Sequence, residues 1–212
     1  MTYVFKDPHG EQVMRVGAIR KWGYRGEYIK MHGTAKENWK FFVEKFIRPG
    51  ATGSIIDVGA QDINGTVRDL IPEGFTYTGV DCARGKNVDV VAQDPYKLEF
   101  SDGHADIVMS TSTLEHVEFF WLLFTEMARV TKTNGLIYLN VPTAGPYHPC
   151  PVDCWRFYPD AGAALERWSV RSGMPVKLLY GHVTEFTFTD EEGNIVSGDQ
   201  WRDWTAIYRR MG

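Results

Sequence analysis

The stretch Ser54-Ile55-Ile56-Asp57-Val58-Gly59-Ala60-Gln61-Asp62-Ile63-Asn64-Gly65 decides how the chain is read. It opens as a short apolar run with two isoleucines, the pattern of a strand buried on both faces. The run ends at an acid, and a glycine follows two residues later. Gly59 permits a tight turn and a close backbone approach to a ligand. Residues 66–71 are then expected to start a helix whose free amides face the turn. Strand, glycine turn and helix start together make a nucleotide-type cradle.

A second strand is expected over residues 75–80, ending in Asp81, about 22 residues beyond Gly59. An acid at that distance can accept hydrogen bonds from ribose hydroxyls. The glycine pattern departs from G-x-G-x-x-G, because Gln61 stands at the second glycine position. That bulk argues against a pyrophosphate pressed on the loop. Taken singly, Asp57, Gly59 and Asp81 are also residues that ordinary strand ends carry.

The length of 212 residues makes one domain the default and allows a substantial core. Hydrophobic residues at 43% and charged residues at 24% are ordinary for a soluble globular protein. A net charge of −4 argues against broad nucleic-acid or membrane-surface binding. Residues 1–7 lack the shape of a signal peptide, and no apolar run reaches bilayer length. Three cysteines, an odd number, suggest no disulfide framework, and a reducing, cytoplasmic setting is expected. Aromatic residues at 14% are abundant enough that some should line a site or an interface.

Along the chain, residues 1–33 mix glycines with basic and aromatic residues and hold no period. They are read as an arm or lid, with a simple edge over the core as the alternative. Residues 34–212 are read as the domain proper. Thr34-Ala35-Lys36-Glu37 looks like a capping box, followed by Trp39, Phe42, Val43 and Phe46 at helical spacing and stopped by Pro49-Gly50. This helix is expected beside the first strand. Further strands are expected at 87–92, 105–110 and 136–141. A helix is expected at 117–130, apolar nearly all round in its first half and ended by a left-handed Asn134-Gly135 cap. That apolar half makes a homodimer plausible. Asp160 is expected to cap a helix running through Arg171 and closed by Gly173. Long strand 176–188, polar turn 190–194 and strand 204–209 form a hairpin. Strands alternating with helices imply a parallel sheet covered on both faces.

With these pieces in order, residues 34–212 resemble a class I S-adenosylmethionine-dependent methyltransferase of the small bacterial type-11-like group. The resemblance rests on residues 55–59, 77–81, 93–95, 105–116 and 134–142 in that order. Residues 151–160 look like a block of small bacterial methyltransferases, some of which act in sugar and surface-polysaccharide pathways. The resemblance implies a Rossmann-like α/β fold: a mostly parallel seven-stranded sheet with helices on both faces and a C-terminal antiparallel hairpin. The implied cofactor is S-adenosylmethionine. Its implied contacts are Asp57, Gly59 and Gln61 for the methionine part, Asp81 and Cys82 at the ribose, Asp94 and Pro95 at the adenine, and Ser110, Thr111 and Leu114 flanking it.

The implied acceptor is a hydroxyl of a small molecule or glycan, with neither nucleic acid nor membrane as partner. Such an acceptor needs a base. His148, in the loop after the fifth long strand, ranks ahead of His116 for that role, and either histidine could instead be structural. Tyr147, Asp153, Trp155 and Arg156 are candidate substrate contacts. Arg156 either clamps an anionic group or pairs internally with Asp153, and Trp155 either stacks on a sugar or packs the loop. His148, Cys150 and Cys154 fall short of the four ligands of a structural zinc site, so no metal is expected. Glu115 and Asp153 leave magnesium open. The remaining alternatives are a non-catalytic protein or a nicotinamide-nucleotide binder on the same fold. A base-modifying enzyme is disfavoured because Ser110-Thr111-Ser112-Thr113 replaces the expected Pro-Pro-Tyr-like box.

Overall fold

The computed structural model describes residues 33–63, 65–189 and 195–212. The expected arm or lid over 1–33 lies outside the described residues, save Gly33, which begins the first helix. The polar turn at 190–194 lies outside them too.

Seven strands form one sheet: β1 (Gly53–Val58), β2 (Phe75–Asp81), β3 (Val90–Val91), β4 (Ala105–Thr111), β5 (Thr131–Ala144), β6 (Val176–Thr189) and β7 (Ile195–Arg210). Their order is β3-β2-β1-β4-β5-β7-β6. The first five run parallel, and β7 pairs antiparallel with both β5 and β6. This is the expected Rossmann-like α/β sheet with its C-terminal hairpin. The chain order reverses between β1 and β4, so a crevice opens beyond the carboxyl ends of these strands.

Helices cover both faces. On one lies α1 (Gly33–Phe46), whose Trp39 and Phe42 bury against Ile55, Ile107, Tyr138 and Ile207. On the other lie α2 (Phe120–Val130) and α3 (Asp160–Arg171), whose Phe124, Met127 and Leu165 meet Val108, Ile137, Leu139, Trp204 and Tyr208. Among the described residues no helix is long and apolar enough to cross a membrane.

Several expected elements take a different form. The segment after the glycine loop makes only one 3-10 turn, Arg68–Leu70. Pro72 cannot continue a helix, and Ile71 before it is already extended at φ −68°, ψ 130°. The expected third strand at 87–92 shrinks to two residues. Asn87 sits left-handed at φ 73°, and Asp89 accepts from Gly79 N–H at 2.8 Å. Helix α2 starts at Phe120 because a 3-10 turn, Leu114–His116, precedes it. Phe119 and Leu122, within the stretch expected to be apolar nearly all round, are 47% and 40% exposed among the described residues.

Asn134 is left-handed at φ 66°, but four residues past the helix end. It belongs to a bulge where β5 steps from Thr131 to Leu136 while β4 steps only from Ala105 to Ile107. A Cβ at Gly135 would lie 2.7 Å from the Asp106 carbonyl oxygen, so glycine is required there. The capping box does not form. Thr34 lies within α1 and donates its hydroxyl to Asp203 at 2.7 Å, and Glu37 pairs with Lys40. Asp160 likewise caps nothing, because α3 begins from Pro159 without a side-chain cap. Helix α1 also lies over β5, β6 and β7 more than beside β1. The last strand starts nine residues earlier than expected, at Ile195.

Candidate active site

A cavity of about 660 Å³ opens at the carboxyl ends of β1, β2, β4 and β5, within the size range of small-molecule sites. Asp57, Gly59, Gln61, Asp81, Cys82 and Thr111 line one part of it. Glu115, His116 and His148 line another.

The first part is built on the glycine loop. Gly59 and Ala60 both donate to the Val80 carbonyl, at 2.8 and 3.0 Å, which folds the loop back over β2. Gly59 sits at φ 80°, and a Cβ there would lie 2.1 Å from the Thr113 hydroxyl oxygen. No other residue fits that position. Asp81 accepts from Gln61 N–H at 3.1 Å through one carboxylate oxygen and from Ala83 N–H at 3.3 Å through the other. Its carboxylate thus fixes the loop and faces the cavity. Gln61, the bulky replacement for glycine, packs against Gly85, where a Cβ would meet its amide nitrogen at 2.4 Å. The missing side chain at 85 makes room for the extra one at 61.

Asp57 is 4% exposed. Tyr77 donates its hydroxyl to Asp57 Oδ2 at 2.6 Å, and Asn87 donates to Tyr77 in turn at 2.9 Å. Asp57 Oδ1 has no partner among the described residues. Burial pushes the Asp57 carboxyl up to about 6 against the Tyr77 hydrogen bond, and the Asp81 charge adds to the rise. A buried acceptor oxygen without a donor, lining a cavity, suits a cationic or N–H-bearing ligand group. The cavity therefore fits the ammonium and ribose hydroxyls of S-adenosylmethionine.

The second part comes from two loops that follow adjacent parallel strands. The 3-10 turn after β4 carries Glu115 and His116, and the loop after β5 carries His148. The two imidazole rings meet edge to face with centroids 4.9 Å apart. His116 Nδ1 lies 2.5 Å from the Val152 carbonyl oxygen. Burial lowers the His116 pKa, and the nearby His148 adds to that, while the Val152 contact opposes it. Glu115 is 1% exposed, and burial pushes its carboxyl up to about 8. Neighbouring Asp203 and Asp153 push it the same way, and Arg156 opposes.

Of the expected site residues, Asp57, Gly59, Gln61, Asp81, Cys82, Pro95, Thr111, His116 and His148 line this one cavity. Asp94 does not. Its carboxylate is turned into its own loop, accepting from Tyr96 N–H at 2.8 Å, while Ala92, Pro95 and Leu98 form an apolar wall nearby. Ser110 is fully buried and donates to the Val58 carbonyl at 2.8 Å, and Leu114 is part of the core.

The four expected substrate contacts also lie outside the lining. Tyr147 is 76% exposed. Trp155 donates its indole N–H to the Val117 carbonyl at 3.0 Å and packs against Phe120. Arg156 grips Asp153 with two nitrogens, at 2.6 and 2.8 Å, so the internal pairing holds rather than a clamp on a ligand. Asp153 in turn accepts from His148 N–H at 2.7 Å. The Arg156 guanidinium holds the Asp153 carboxyl well below the usual range. These residues brace the loop that presents His148.

Sequence reasoning missed Thr113, Trp201 and Asp203 as lining residues, and gave Glu115 no place in the cavity. The signal for Glu115 was present. An acid and a histidine end one parallel strand's loop, and a second histidine lies in the loop of the neighbouring strand.

The methyltransferase domain family matches residues 60–139. A protein of Mycobacterium tuberculosis described as an uncharacterized methyltransferase is 38% identical over 85 residues, covering 40% of this chain and 33% of its own. The chain thus spans about one third of the length of the curated relatives it matches. Among solved structures, a SAM-dependent methyltransferase from Archaeoglobus fulgidus superposes with a TM-score of 0.57 at 16% identity, covering 83% of this chain and 93% of its own. A SAM-dependent methyltransferase from Methanosarcina mazei superposes at 0.54 with 14% identity, covering 80% and 97%. The fold is that of the class I S-adenosylmethionine-dependent methyltransferases.

Proposed function

We propose that this chain, a methyltransferase domain on a class I fold, transfers the methyl group of S-adenosylmethionine to a hydroxyl of a small molecule or glycan. The observation that carries the reading is the convergence of Asp57, Asp81 and the Gly59 turn on one cavity that also holds His116 and His148. When bound, the cofactor supplies a methyl group already activated on a sulfonium. The chain's own residues then hold, orient and deprotonate.

In this reading Gly59 and Ala60 approach the methionine part by backbone. Asp57 Oδ1 accepts from the ammonium, and Asp81 accepts from the ribose hydroxyls. The wall of Ala92, Pro95 and Leu98 receives the adenine, with Asp94 shaping its turn rather than pointing inward. At the opposite end, His148 or His116 takes the acceptor's proton as the new bond forms. The exposed Phe119, just before α2, and Leu122 within it support a homodimer.

The test is calorimetry with S-adenosylhomocysteine. Wild-type protein should bind, and Asp81→Ala should weaken binding at least about tenfold, the worth of one lost hydrogen bond to a charged group. Folded wild-type protein that binds none, or binds equally well without Asp81, ends the reading. A parallel NADH fluorescence titration should show no binding, and saturable binding there would favour a nicotinamide site instead.

A further inference from the structure

The acceptor end of the cavity holds more than a base needs. One ligand atom each from Glu115, His116 and His148 lie within 4.8 Å of one another. We propose that Glu115, His116 and His148 bind a divalent first-row transition-metal cation at the acceptor end of the cavity.

Each histidine is already oriented for it. His116 Nδ1 is engaged with the Val152 carbonyl at 2.5 Å, and His148 Nδ1 lies 3.1 Å from both the Pro146 carbonyl oxygen and Asp153 Oδ2, with the Arg156 guanidinium 3.3 Å away. In the tautomer whose Nδ1 donates to these oxygens, Nε2 of each ring is the nitrogen left for a ligand. Metal-bound histidines are commonly held in this way, the second nitrogen donating to a carbonyl or carboxylate. His116 Nε2 lies 3.8 Å from Glu115 Oε1. In a tetrahedral site, ligand atoms about 2.1 Å from the cation sit about 3.4 Å apart, so closing the cluster takes relative shifts of about an ångström, within reach of side-chain rotation.

Glu115 gives the independent indication. Its side chain is 1% exposed, and Oε2 has no partner among the described residues. A buried carboxylate oxygen without a donor is costly, and a cation is the counter-charge that removes the cost. Two imidazoles and one carboxylate suit manganese, iron or zinc better than magnesium or calcium. Cys150 and Cys154 are exposed and are not members of the cluster, so the site differs from a structural zinc centre.

Three protein ligands leave positions open toward the cavity. The inference rests on the methyl-transfer reading in one respect. With the cation bound, an acceptor hydroxyl in an open position would lose its proton to solvent more readily and the histidines would serve as ligands; without it, one of them is the base of the methyl-transfer reading.

The test is manganese(II) titration of the chelator-treated full chain, followed by loss of the free ion's paramagnetic resonance signal. Manganese is the probe because the exposed Cys82, Cys150 and Cys154 would also take up zinc. One ion per chain is expected, with affinity at least about tenfold weaker in Glu115→Gln and in His148→Ala. Circular dichroism melts establish that each variant folds. His148 lies in a partly exposed loop, so its variant carries the test if Glu115→Gln does not fold. No uptake by folded wild-type protein, or equal uptake in the folded variants, overturns the site. If S-adenosylhomocysteine still binds in that case, the methyltransferase reading stands. Manganese uptake without any S-adenosylhomocysteine binding would instead leave the cation site and remove that reading.

Discussion

Asp57 sets folding against binding. Burial that pushes its carboxyl from 3.8 up to about 6 costs the folded state on the order of 3 kcal/mol at neutral pH. The sign follows from the raised folded value. The cost is full above about pH 6 and vanishes as pH falls toward the unfolded value, because the folded state then holds the proton more tightly. Asp57→Asn keeps an acceptor for the Tyr77 hydroxyl, whose own pKa is raised first by burial and then by Asp57. The variant should be more stable than wild type by about 1–3 kcal/mol at pH 7.5, with the gap closing between pH 6 and 4. Its affinity for S-adenosylhomocysteine should fall about tenfold. Urea unfolding across that pH range with calorimetry at pH 7.5 checks both, and a pH-independent gap would mean that Asp57 is not the buried charge described. At this scale, Asp57, Gly59 and Asp81 were legible because an acid at a strand end and a glycine at a turn have few other uses. Asp94 was misread because nothing in Gln93-Asp94-Pro95-Tyr96 says that its carboxylate will accept the nearby Tyr96 N–H. Arg156 was ambiguous for the same reason, since a nearby Asp can claim a guanidinium before any substrate does.

Among the elements, α2 holds the loop that walls the cavity. Arg129 donates to both carboxylate oxygens of Glu126, to Asp102 and to the Leu98 carbonyl, while Glu126 accepts from Leu98 N–H at 2.7 Å. Leu98 and Pro95 of that loop line the cavity. Arg129→Met leaves the largely buried Glu126 without its cation, which should cost about 2–3 kcal/mol. The loosened loop should also weaken S-adenosylhomocysteine binding several-fold. Arg129→Lys should recover only part of both, because an ammonium cannot reproduce the planar fork. Equal stability of all three proteins in denaturant would show that the network is ornamental. The start of α2 was not legible at residue 117. Apolar periodicity runs straight through 114–130, and only tertiary packing decides that its first turn is 3-10. The missing helix after the glycine loop was readable in principle from Pro72, which cannot continue a helix begun at residues 66–71.

For the whole molecule, the mostly parallel sheet was legible because strands alternating with helices leave few other architectures. What joins the parallel half to the hairpin was not, because it is a polar network between residues far apart in sequence. Asn140 on β5 is fully buried. Its side-chain oxygen accepts from Asn38 of α1 at 2.8 Å and Thr205 of β7 at 3.0 Å, and Asn38 accepts from Thr184 of β6 at 2.8 Å. Two amides thus tie four elements together. Asn140→Ala strands the Asn38 and Thr205 donors in the interior and should cost about 2–4 kcal/mol. For a chain of this length that lowers the melting temperature by about 4–15 °C. Saturation with S-adenosylhomocysteine at a hundredfold its dissociation constant should add about 2.7 kcal/mol to either protein. Differential scanning fluorimetry with and without the ligand, each at that multiple of its own measured constant, separates the two effects. Unequal constants would show that the network also shapes the cavity, whereas equal constants and a lowered baseline would confine it to holding the hairpin on the sheet.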